Sequence, residues 1–115
     1  MKRGEVWTVS GGPDYSGKPR PSLILQDEIF ETIESITVCG FTSDDTRSEF
    51  LRIRIEPTPE NGLVTPSSLM IDKITTIPRT KLGRRIGALR QADMAAVGQA
   101  VIVFLGLVSG SRAGR

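Results

Sequence analysis

Arg20 stands between two prolines, in Lys18-Pro19-Arg20-Pro21, and the apolar run Ser22-Leu23-Ile24-Leu25-Gln26 follows at once. Each proline fixes its own φ, and Pro21 drives Arg20 into extended backbone. The guanidinium is therefore held at the mouth of a buried strand, behind a glycine-rich polar loop running from Ser10 to Gly17. A cation held this way offers a preorganised fork of N–H donors that matches a phosphate. The same pattern also describes an ordinary turn arginine ahead of an edge strand, so its meaning depends on what surrounds it.

Composition narrows the chemistry further. The chain of 115 residues contains no histidine. That removes His-ligated metal sites, Ser-His-Asp triads and ribonuclease chemistry run by paired imidazoles. No metal or other cofactor is expected. Cys39, the single cysteine, lies in an apolar run with no second thiol to pair with and no imidazole to activate it. A small buried hydrophobe in a reducing compartment is its expected role. The net charge of +2 and an isoelectric point near 9.0 permit an anionic partner without demanding one. The N-terminus lacks an apolar leader, and the longest apolar stretch, Val101 to Val108, falls short of the ~20 residues that cross a bilayer. A cytoplasmic protein with no membrane partner is expected.

The elements that must position Arg20 follow from patterning. Strands are predicted over Glu5–Val9, Pro21–Gln26 and the β-branched stretch Ser35–Thr42. In Phe50–Ile55 the alternation is strict: Leu51, Ile53 and Ile55 face one side, and Arg52 and Arg54 point outward on the other. Two short strands around Asp72 (Ser68–Ile71 and Lys73–Ile77) and one over Arg84–Leu89 complete the set. Met94, Val97, Val101, Phe104 and Val108 recur at helical spacing and predict one helix from Gln91 to Leu107. Arg90 is a poor N-cap for it, so the helix must depend on packing against the sheet. Strands first and a helix last describe a mainly β fold, a small bent antiparallel barrel with a C-terminal helix. One domain over residues 1–108 is expected, with a disordered basic tail over 109–115. A sheet of this size leaves apolar surface that a homodimer would cover, with the helix or a sheet edge as the seam.

Three segments in order resemble one family. Lys2-Arg3-Gly4-Glu5-Val6-Trp7 is similar to the opening of the MazF/PemK (Kid) toxins. Arg20-Pro21-Ser22-Leu23-Ile24-Leu25-Gln26 is similar to their arginine-proline strand, and Ser67 to Ile77 with Arg79-Thr80-Lys81-Leu82 to their late acidic block. The resemblance spans residues 2 to about 107. It implies an SH3-like barrel that dimerises, a metal-independent endoribonuclease acting on single-stranded RNA, and a small antitoxin partner. Carried onto this chain, it implies catalytic roles for Arg20, Thr42 and Asp72, with Asp72 orienting Arg20 or a water. The loop ahead of Arg20 departs from the family: Gly11-Gly12-Pro13-Asp14-Tyr15-Ser16-Gly17 lacks the usual Glu-Gln pair.

The residues themselves support such chemistry. Arg20 can give two hydrogen bonds to a phosphate and stay charged throughout, and the Thr42 hydroxyl can give a third. Ser43, Lys18, Arg52 and Arg54 are candidate contacts to RNA, and Tyr15 is a candidate for base stacking. Two other functions fit the same fold class. A gyrase-blocking toxin like CcdB would need a tryptophan at the end of the helix, whereas the only tryptophan here is Trp7. An inactive SH3-like nucleic-acid binder would bind RNA in a salt-sensitive way without cutting it.

Overall fold

Seven short strands and one helix account for most of the chain in the computed structural model, which describes residues 1–10, 18–44 and 52–107. The strands are β1 Glu5–Val9, β2 Arg20–Ile24, β3 Ser35–Thr42, β4 Arg52–Ile55, β5 Ser67–Met70, β6 Thr75–Pro78 and β7 Leu82–Ala88, and the helix is α1 Gln91–Leu105. The bounds expected for β1 and β3 are those observed. β2 starts one residue earlier than expected, at Arg20, and stops at Ile24. It stops there because the Gln26 amide replaces the ladder: its Oε1 accepts from the Thr37 N–H at 3.1 Å and its Nε2 donates to the Ser35 carbonyl at 3.4 Å.

All pairings are antiparallel, in the order β4-β5-β3-β2-β1-β7, with β6 also on β3. β3 is the spine. Its first half pairs with β6 and its last two residues pair with β5 on the same side, while β2 lies along the other. The sheet is not closed into a barrel, since no pairing joins β4 to β7 among the described residues.

Alternation along these strands sorts the core into two layers. Val6, Leu23 and Cys39 sit side by side across β1, β2 and β3 and pack with Phe41, Leu69, Ile71 and Val97 of α1. Ile24, Ile36 and Val38 form the opposite layer, with Trp7, Ile77 and Leu82 against them. The core is aliphatic, as the composition indicates. Burying one such side chain is worth about 1.5–3 kcal/mol.

Arg90 caps α1 with no side-chain bond to the helix end and instead binds Asp93. The helix ends at Leu105, two residues sooner than its apolar spacing predicts. Gly106 adopts φ +68° there, and the Leu107 N–H reaches back to the Ile102 carbonyl at 2.9 Å, which closes the last turn. Met94, Val97 and Val101 meet the core, but Phe104, expected on the same stripe, is 43% exposed. The expected tail lies outside the described residues, as does Val108.

Candidate active site

The pairing register brings the two main candidates together. Val9 of β1 lies opposite Arg20 of β2, and Ser22 lies opposite Gly40 of β3. Continuing that register sets Arg20 across from Thr42, which in turn pairs with Ser68 of β5. A guanidinium and a hydroxyl therefore stand on neighbouring strands at the same end of the sheet. Both open into a cleft of about 300 Å³, which Ser43, Thr65, Ser67 and Arg84 also line. Its floor is the apolar surface of Pro21, Phe41 and Leu63.

The Thr42 hydroxyl is oriented by its own turn. Its Oγ1 accepts from the Asp44 N–H at 3.2 Å, so its proton is left to donate into the cleft. The far wall is fixed by Asn61, which is almost fully buried. The Asn61 Oδ1 accepts from the N–H groups of Thr58 and Leu63, both at 3.0 Å, and its Nδ2 donates to the Glu56 carbonyl at 2.9 Å. Gly62 follows at φ +72°, where an added Cβ would lie 2.0 Å from the Ile86 carbonyl oxygen. Only glycine fits there. This turn carries Val64, 92% exposed, and Thr65 to the rim of the cleft. Along β7, the strand on which Gly62 packs, the Arg84 N–H donates to Thr8 Oγ1 at 3.0 Å, which holds β7 against β1.

Residues 2–105 match the model of the PemK-like, MazF-like toxins of type II toxin–antitoxin systems. The chain belongs to this family. It is 52% identical over 93% of its length to a probable endoribonuclease MazF of Mycolicibacterium smegmatis, covering 98% of that protein. Among solved structures, the Mycobacterium tuberculosis toxin MazF-mt6 superimposes with a TM-score of 0.74 at 28% identity, covering 89% of this chain and 96% of that one. An endoribonuclease from a mycobacterial species, solved with its cognate antitoxin, has the same fold with a TM-score of 0.78 at 22% identity, covering 96% and 99%.

In this MazF-like toxin, the charges pair differently from expectation. Asp72, expected to orient Arg20 or a water, is bound by Arg52 through its Oδ1, and it does not line the cleft. Arg52, read as outward-facing, has its side chain only 9% exposed, and that of Asp72 is 23% exposed. The cause is tertiary. β4 is followed across β5 by the 3₁₀ turn Ile71–Lys73, and α1 packs on that turn. Arg52 is thus covered, and the neighbouring carboxylate neutralises it. Arg54, two residues on, is exposed and pairs with Glu56 at 3.0 Å, away from the cleft. Lys18 is exposed close to the Arg20 end of the cleft. Tyr15 lies outside the described residues.

Cys39 is buried, and burial pushes its thiol up to about 12, although its Sγ donates to the Met70 carbonyl. It is no nucleophile. Among the described residues no group of three or more acidic or thiol side chains is placed to hold a metal ion. Thr65, Ser67 and the Val64 turn escaped the sequence reading as site residues. The Asn61-Gly62 pair did mark a turn, but nothing local says that this turn faces Arg20.

Proposed function

We propose that this toxin is an endoribonuclease that cleaves single-stranded RNA without a metal ion, using the substrate's own 2′-hydroxyl as nucleophile. One observation carries the reading: Arg20 and Thr42 stand on adjacent strands and open into one cleft. In the reaction the 2′-oxygen bonds to phosphorus and the P–O5′ bond breaks. The products are a 2′,3′-cyclic phosphate and a 5′-hydroxyl. A proton leaves the 2′-oxygen and another reaches the departing 5′-oxygen. Charge builds on the non-bridging oxygens, and fixed donors aimed there stabilise it. Arg20 supplies two N–H donors and a permanent positive charge, and Thr42 supplies an O–H. Ser43, Thr65 and Ser67 add hydroxyls along the cleft, and Arg84 adds a second cation.

The partners follow from the relatives. Solved structures of similar fold include MazE–MazF complexes from Deinococcus radiodurans. We propose that this chain also has an antitoxin partner, one that covers its cationic cleft, in the cytoplasm where its RNA substrate resides. We also propose a homodimer, for which the exposed apolar end of α1, with Val103, Leu105 and Leu107, offers surface. Sedimentation equilibrium tests the dimer.

Primer extension on RNA treated in EDTA tests the activity and maps the cut. Wild type should give discrete stops, and Arg20→Ala should give none at matched concentration. Full activity in Arg20→Ala, or loss of wild-type cleavage in EDTA, would overturn the mechanism.

A further inference from the structure

The turn between β2 and β3 lies at the opposite end of these strands from the cleft. It carries Asp27, Glu28, Glu31 and Glu34, and no lysine or arginine occurs from Pro21 to Asp44. All of residues 27–34 are exposed. Three of them are large and apolar: Ile29 is 74% exposed, Phe30 48% and Ile33 47%. Clustered apolar surface rimmed by polar groups marks an interaction site. The turn holds that surface still. The Asp27 side chain accepts from the Ile29 N–H at 3.0 Å. The N–H groups of Phe30, Glu31 and Ile33 donate to the carbonyls of Asp27, Glu28 and Phe30, each at 3.1 Å. The Arg79 guanidinium donates to the carbonyls of Phe30 and Ile33 from beside the turn. Glu28, Glu31 and Glu34 form no ion pair among the described residues.

We propose that this acidic apolar turn docks into the cationic cleft of a second copy of the chain and blocks it. The proposal rests on the endoribonuclease reading above and adds a control to the same site. The two surfaces match in both charge and polarity. The turn offers apolar side chains flanked by carboxylates. The cleft offers an apolar floor of Pro21, Phe41 and Leu63 beside Arg20 and Arg84, and no carboxylate is among its lining residues. The carboxylates of Glu28 and Glu31 take the place of RNA phosphates at these guanidiniums, whose forked donors suit either anion. Ile29, between them in the chain, lies on the floor. The turn cannot reach the cleft of its own chain. β2 runs from Arg20 at the cleft towards the turn, its length alone puts about 13 Å between them, and the turn is hydrogen-bonded in place. The contact is therefore between copies. It joins two different surfaces and uses neither Val103, Leu105 nor Leu107, so it adds to a two-fold dimer through α1 rather than replacing it.

The test uses full-length toxin and an RNA carrying its mapped cut site. Arg20→Ala has a damaged cleft and an intact turn, so it should inhibit wild type in trans. A tenfold excess should lower the wild-type rate at least about threefold at low salt, and the inhibition should fade as salt screens the charges. Arg20→Ala/Glu28→Gln/Ile29→Ser/Glu31→Gln should not inhibit. Both proteins keep the same cleft and the same α1, so competition for RNA and exchange of dimer partners affect them equally. Glu28→Gln/Ile29→Ser/Glu31→Gln alone should cleave like wild type when dilute. Its rate per molecule should stay constant where that of wild type falls with concentration. In sedimentation velocity, wild type should gain mass with concentration beyond this variant, and RNA with a 2′-deoxy scissile nucleotide should remove the gain by filling the cleft. Circular dichroism checks folding of each variant.

Inhibition in trans that is absent, or equal for both Arg20→Ala proteins, overturns the proposal and leaves the endoribonuclease reading standing. So does the same concentration dependence in wild type and the turn variant. Association that is lost in the turn variant but untouched by the 2′-deoxy RNA also overturns it, since the turn then binds a copy outside the cleft. A wild type that associates through the turn and is released by the 2′-deoxy RNA, yet never cuts the ribose form, keeps the contact and sinks the endoribonuclease reading.

Discussion

Arg20 and Arg52 are the same residue type in opposite situations. Arg52 is covered and bound to Asp72 of the turn on which α1 packs. Arg20 is exposed at the first position of its strand and borders two open grooves. The first is a structural cation whose charge is spent on a neighbour. The second has its backbone restrained between Pro19 and Pro21 and lines the cleft. The proposed chemistry draws on the cation whose main chain is restrained, whereas Arg52 is covered beside its carboxylate.

The comparison can be broken most directly at Arg20. Arg20→Ala should lower kcat/KM at least a hundredfold, about 3 kcal/mol in barrier, with a smaller loss of stability than Arg52→Ala. Arg20→Lys should stay strongly impaired, because an ammonium cannot reproduce the planar fork. Urea unfolding together with cleavage kinetics reads both.

Arg52→Ala should do the reverse. Leaving Asp72 half-covered without its partner should cost about 3 kcal/mol of stability, with kcat of the folded protein within a few-fold of wild type. Cys39 reports the same event. Its thiol, near Asp72 and Arg52 and held up at about 12, should resist iodoacetamide at pH 8 in wild type and in Arg20→Ala. It should label faster in Arg52→Ala, where local opening is easier. The raised thiol value also makes its contribution to stability present below pH 9.0, the ordinary value, and lost as the pH rises towards 12.

Asn61 tests whether the cleft wall must be rigid. Asn61→Ala removes bonds to Thr58, Leu63 and Glu56, and should cost about 2 kcal/mol in urea unfolding. It should also raise KM, since the Val64–Thr65 turn then loses its anchor.

A smaller effect is expected at Glu5. Burial alone would raise its carboxyl, but the Lys2 N–H, Trp7 Nε1 and Arg85 outweigh that and hold it below its ordinary 4.5. Its contribution is therefore present above pH 4.5 and lost as the pH falls through the lowered value. The stability gap between wild type and Glu5→Gln should close on acidification below that point. The smallest effect belongs to Arg54→Ala, an exposed ion pair, which should change stability by less than about 0.5 kcal/mol and leave kcat unchanged.

Much of the scaffold was legible along the chain. The bounds of β1 and β3, the extended Arg20, the aliphatic core and the start of α1 all come from φ restriction, β-branching and apolar spacing, which are properties of near neighbours. The missing histidines likewise set limits on the chemistry before any fold was known. The end of α1 was misjudged because Phe104 and Val108 continue the apolar spacing past Gly106, whose left-handed cap stops the helix regardless.

The assignment of charges was not legible. Alternation puts Arg52 and Arg54 on one face, yet one is covered and the other exposed. The sequence alone determined that a guanidinium would be held rigidly at the head of β2. Only the tertiary structure decided that Thr42, Thr65, Ser67 and Arg84 would gather around it and that Asp72 would turn to Arg52 instead. The reason is range: backbone preference is set by adjacent residues, whereas the partner of a charge is set by contacts between strands and turns far apart in the chain.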